Sequence, residues 1–118
     1  MRLVADLDKI AANARLVSRL CAGRGVSVTA VTKCVCGEPA IVRAILAGGV
    51  REIGESRLDN VRRIRDAGID CDILMLRLPA LSRIDEVVAL TTRSLNSEPA
   101  TLHALSAAAV RLETTHEV

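Results

Sequence analysis

The chain of 118 residues contains no Phe, Tyr or Trp, and its charge is nearly balanced, with Lys+Arg 16 against Asp+Glu 14 for a net +2. Without rings to stack on bases or a basic excess to meet phosphates, nucleic-acid binding is a poor expectation. No apolar run approaches the roughly 18 residues that cross a bilayer. The N-terminus MRLVADLDKI also sets aspartates where a signal peptide keeps its apolar stretch. A cytoplasmic protein that engages no membrane is expected. No CxxC pair occurs among Cys21, Cys34, Cys36 and Cys71, so no disulfide framework is expected, and the CxC at residues 34 and 36 lacks the further ligands of a structural zinc site. These cysteines read as small buried core residues, with no metal expected. GxxxxGKS and GxGxxG are missing, which removes the backbone cradle of a nucleotide site, and His103 and His116 stand in no pattern of a hydrolytic triad.

Lysine is scarce as well. Fourteen basic residues are Arg and only two, Lys9 and Lys33, are Lys. A guanidinium keeps its proton, whereas an amine can lose it and attack a carbonyl, so a lysine kept in an Arg-rich chain is a candidate nucleophile. Lys9 falls near the start of an exposed helix, where any cation serves. Lys33 directly follows the apolar, β-branched run VSVTAVT.

What is present is a composition of 50% hydrophobic and 25% charged residues, that of one globular domain. Short strand-like runs occur at 26–32, 51–53, 72–77, 93–95 and 115–118, starting 25, 21, 21 and 22 residues apart. Between them Ile41, Val42, Ile45 and Leu46, then Leu58, Val61 and Ile64, then Ile84, Val87 and Val88, then Leu102 and Leu105 mark helix faces. A first helix is expected from about Asp8 to Ala22, with Ile10, Val17 and Leu20 on one face. Ser56 with Asp59 and Ser82 with Asp85 fit capping boxes, Pro39 and Pro99 suit first helical turns, and Gly48, Gly49 and Gly68 suit helix ends. The unit is a repeating βα pair, which gives parallel strands with helical crossovers. A leucine-rich repeat has a similar period, but its fixed leucine frame does not recur.

The expected fold is therefore α/β, an incomplete (β/α)8 TIM-type barrel. A closed barrel takes eight strands in about 250 residues, and this chain offers about five, so residues 1–118 read as part of one domain. An open barrel bares strand edges and an inner apolar face, so self-association as a homo-oligomer is expected. Lys33 falls at the C-terminal end of its strand, the rim where barrel enzymes collect reactive groups. Apolar walls beside it would favour the uncharged amine. On the same rim, Arg77 could meet a carboxylate or phosphate as a bidentate donor or stand as a solvated charge. Glu55, Ser56 and Arg57 follow the second strand, with Ser56 also a simple helix cap and Arg57 solvated. Asn96 and Ser97 follow the fourth, with Ser97 read as a helix N-cap. Arg62, Arg63 and Arg65, diluted by Asp59 and Asp66, read as a solvated face.

The segment VTKCVCGEPAIVRAILAGGVREIGESRLDN, with LMLRLPALS and SLNSE after it, resembles the N-terminal barrel region of the fold-type III pyridoxal-phosphate (PLP) racemases. Within the alanine racemase superfamily it is most similar to the ornithine racemase group, over nearly the whole chain from VADLDKI onward. The resemblance implies that Lys33 forms the internal aldimine with PLP and is catalytic. Glu55, Ser56, Arg77, Asn96 and Ser97 then border the cofactor, and a small amino acid is the substrate. It also implies a second proton-transferring group on the opposite face. In alanine racemases that is a tyrosine from the partner subunit's C-terminal domain, and this chain has no Tyr. PLP homeostasis proteins share the barrel and its lysine but act mainly as carriers, and a non-catalytic fragment is a third possibility.

Overall fold

The computed structural model describes residues 3–118. Helix α1 (Leu7–Ala22) starts where Asp6 accepts a hydrogen bond from the Lys9 N–H at 3.0 Å and stops at Gly23. Three βα units follow: β1 (Thr29–Val31) with α2 (Pro39–Ala47), β2 (Glu52–Glu55) with α3 (Leu58–Asp66), and β3 (Asp72–Met75) with α4 (Ile84–Leu90). The chain then runs through β4 (Arg93–Ser94) into α5 (Pro99–Arg111). The strands form one parallel sheet in the order β1-β2-β3-β4, so α2, α3 and α4 are the crossovers between neighbours. This is part of a βα barrel, as the repeat predicts.

The register explains which side chains are buried. Ala30, Ile53 and Ile73 stand side by side across three strands and pack under Val42, Val61, Ile64 and Ile69. One step along, Met75 joins Leu58, Ile84, Val87, Val88, Leu105 and Ala108. Alternation sends the intervening residues to the opposite face. There a Cβ on Gly54 would touch side-chain atoms of Val31, Leu76 and Thr29 at 3.2–3.3 Å. This second face is the inner wall of the barrel. Val31 remains 44% exposed on it, and Leu95, just past β4, 54% exposed.

Several local expectations are corrected. The strand expected over 26–32 is only Thr29–Val31, because strand length is set by its partner and β2 offers four residues. Over 115–118 the chain makes one bridge, Glu117 to Arg93, rather than a strand. Ser56 does not cap α3: Arg57 is the N-cap residue and Ser56 donates its N–H to Glu55. Ser82 likewise lies inside a 3₁₀ turn, with Arg83 preceding α4. In α1 no residue is buried, and Leu16, Val17 and Leu20 are exposed. That helix lies instead against α2 through small residues. A Cβ on Gly48 would sit 2.5 Å from the Ala14 Cβ and 2.7 Å from the Ala11 carbonyl oxygen.

Candidate functional site at the C-terminal rim

Because all strands are parallel, the residues after their C-terminal ends share one rim. The ladder continues past each strand there: Thr32 donates to the Gly54 carbonyl (3.2 Å), Leu76 to Glu55 (2.8 Å) and Leu95 to Met75 (2.9 Å). These bonds fix the points from which Lys33, Ser56, Arg77 and Asn96 depart.

Lys33 opens a 3₁₀ turn, Lys33–Val35, in which the Val35 and Gly37 N–H groups both return to the Thr32 carbonyl (3.1 and 3.2 Å). Cys36 and Gly37 close it at positive φ, 53° and 62°. Glycine is required at residue 37, where a Cβ would lie 3.0 Å from the Asn60 carbonyl oxygen. Arg63 of α3 donates to the Cys36 carbonyl at 2.9 Å. Lys33 itself is exposed, and no hydrogen bond or ion pair among the described residues engages its amine. The apolar walls expected beside it are not found among the described residues, which leave Lys33 open to solvent. Cys34 and Cys36 are exposed too, correcting their reading as core residues: the tight turn holds them out.

Beneath the turn lies Glu55, fully buried. One carboxylate oxygen accepts from the Thr32 hydroxyl at 2.6 Å, the other from the Asn60 side-chain amide at 2.9 Å and the Ser56 N–H at 3.3 Å. Both oxygens thus face protein donors. Thr32, Asn60 and Arg63 were not legible as site residues, since the contacts join positions 5 to 27 residues apart that only strand register and helix packing bring together.

Arg77 is exposed and Ser56 half-buried on the same rim. Asn96 turns back on β4, donating to the Ser94 carbonyl (2.9 Å) and hydroxyl (3.0 Å), while its own Oδ1 is buried without a partner. Ser97 is exposed and does not cap α5, whose N-cap residue is Glu98 followed by Pro99. His116 is half-buried, with Nε2 2.8 Å from the Ser94 hydroxyl. Burial lowers its pKa below 6.5, against the opposing Thr91 backbone and Glu117. A cavity of about 1030 Å³ opens at the other, N-terminal end of the strands between Arg15, Arg19, Thr29, Glu52 and Arg93. None of the candidate rim residues lines it. Among the described residues no group of three or more His, Cys, Asp or Glu could hold a metal ion.

With this arrangement in place, comparison with known proteins is decisive. The sequence profile described as alanine racemase, N-terminal domain, matches residues 5–118. The chain belongs to that family. It is 38% identical to a lysine racemase of Thermotoga maritima over 87 residues, covering 74% of this chain and 25% of the relative. It is 31% identical to an ornithine racemase of Acetoanaerobium sticklandii over 117 residues, 99% of this chain and 33% of the relative. The chain therefore spans a quarter to a third of the length of these relatives. In fold it is similar to the crystal structure of alanine racemase from E. faecalis, with TM-score 0.75, 21% identity, and 86% of this chain matched to 28% of that one. It is equally similar to D-threonine aldolase from Filomicrobium marinum, with TM-score 0.77, 17% identity, and 96% of this chain matched to 31% of that one. No helix among the described residues is long and apolar enough to cross a membrane.

Proposed function

We propose that this chain is the cofactor-holding part of a PLP-dependent racemase acting on ornithine or another cationic amino acid, with Lys33 bonding the PLP aldehyde. The observation that carries the reading is an exposed, unengaged amine on a hydrogen-bonded turn at the C-terminal rim of a parallel βα sheet. The residues present fit the aldehyde end of the cofactor, since nothing in the described chain competes for the Lys33 amine. Arg77 supplies exposed N–H donors suited to a phosphate or a substrate carboxylate, and Ser97 a hydroxyl. Asn96 offers a buried acceptor still lacking a donor. When bound, PLP supplies an electron-withdrawing ring that weakens the Cα–H bond of an amino acid.

In this reading Lys33 Nζ moves the proton at the substrate Cα, and Arg77 orients the substrate or the cofactor. Inverting the centre needs a second proton-bearing group on the other face. The chain has no Tyr to serve as one, and turnover is not expected from these 118 residues alone. The bare inner face at Val31 and Leu95, with the exposed α1 stripe, supports self-association. Sedimentation of a stable monomer would count against that part.

The test is to mix the chain with PLP, reduce with borohydride, digest, and locate the pyridoxyl adduct by mass. Labelling of Lys33 well above Lys9 is expected. Equal labelling, or none, overturns the reading.

A further inference from the structure

We propose that Glu55 is a positioning residue, setting where the Lys33 amine stands although it does not itself face the rim. The inference rests on the cofactor reading of Lys33 and names the device that holds that lysine in place.

A carboxylate removed from water is costly to keep, and it persists where its oxygens are hydrogen-bonded. Glu55 is fully buried, and both side chains that donate to it lead to the lysine turn. Its Oε1 takes the hydroxyl of Thr32, the residue whose carbonyl receives both N–H groups that define the turn. Its Oε2 takes the amide of Asn60, the residue on which Gly37 rests at the far end of the same turn. The carboxylate thus ties the entry of the turn, through Thr32, to its exit, through Asn60. A neutral or shorter side chain would leave one of these donors unsatisfied in the interior. A glutamine has one acceptor oxygen for donors on two sides, so with that oxygen kept toward Asn60 its NH2 would face the Thr32 hydroxyl and leave that hydroxyl without its acceptor. What Glu55 controls is the direction in which the chain leaves β1 through Thr32, and Lys33 follows Thr32 directly.

Three variants probe this. E55Q keeps the shape and loses an acceptor, T32V removes only the hydroxyl, and T32S retains it. Each is taken through the PLP and borohydride procedure, and the Lys33 to Lys9 adduct ratio is measured. Lys9, remote in α1 and exposed, serves as internal reference for the amount of chain labelled. Native-state hydrogen exchange of the Val35 and Gly37 amides is measured in parallel without cofactor. E55Q and T32V are expected to lower the ratio about tenfold, the scale of a small misplacement of a reacting group. They should also speed exchange at the two amides while the β2–β3 amides keep their protection, and T32S should restore both readings. Where E55Q fails to fold, T32V against T32S carries the comparison. An unchanged ratio together with unchanged exchange in T32V overturns the proposal while leaving the cofactor reading intact. If the unmodified chain labels Lys33 no better than Lys9, the cofactor reading fails, and faster turn exchange in T32V alone still separates a positioning role for Glu55 from none.

Discussion

Arg93 of β4 reaches across β3 to grip Glu52 of β2, with Nε 2.5 Å from Oε2 and Nη2 2.7 Å from Oε1. The same carboxylate accepts from Thr29 of β1. One acid therefore ties three strands together on the inner face, at the end of the sheet away from Lys33. The Arg93 hydrogen bonds hold the Glu52 carboxyl below its ordinary 4.5, overcoming the upward push of burial. The folded state binds this proton less readily than the unfolded state does. The stabilisation is thus present above pH 4.5 and is lost as pH falls through the lowered value. E52Q is expected to cost about 1–3 kcal/mol at neutral pH, read from urea unfolding, and the difference from the unmodified chain should close in acid. A constant difference across that range would remove the argument.

His116 works in a higher window. Its ring is half-buried against Ser94, and burial depresses its pKa from 6.5. Above that value both folded and unfolded states hold it neutral and stability is full. As pH falls through the lowered folded value the unfolded state has already gained a proton, and stability drops. An NMR titration of the ring should show a midpoint below 6.5, and the matching stability step should be missing in H116Q.

The contact of α1 with α2 depends on the missing side chain at Gly48, where a Cβ would fall 2.5 Å from that of Ala14. G48A should destabilise by about 1–3 kcal/mol through overpacking. At Gly23 a Cβ meets only ordinary contacts of 3.6 and 3.8 Å, so G23A should stay within about 0.5 kcal/mol of the parent. Equal effects in urea melts would contradict this account of the helix pair.

Thiol chemistry should follow exposure. Cys34 and Cys36 are exposed on the lysine turn, whereas Cys71 is half-buried and its thiol pKa is pushed up by that burial, with Arg65 opposing. Timed iodoacetamide treatment with mass mapping is expected to modify the first two roughly tenfold faster than Cys71. Faster reaction at Cys71 would mean that the turn is packed.

How much of this was legible in the sequence depends on how local the signal is. The βα period was plain because β-branched runs and helix faces alternate at a nearly constant interval, and it correctly delivered parallel pairing and put Lys33 on the C-terminal rim. Strand lengths were not plain, because Val26 and Val28 look like strand residues but have no partner opposite. Capping serines were misplaced by a residue or more, since Ser56, Ser82 and Ser97 all lie beside helix starts and only backbone geometry decides which residue is half in. Cysteine composition pointed inward, while the left-handed pair Cys36 and Gly37 turned two thiols out. Glu55 stood out as a residue at the end of the second strand, but its partners could be named only once register brought Thr32 alongside.

Every contact that frames the lysine turn lies between Thr32 and Arg63. A nascent polypeptide therefore carries every partner of this turn once Arg63 has been added, a little past the midpoint of these 118 residues. The turn that presents Lys33 can be assembled during translation, before β3 and β4 have been made.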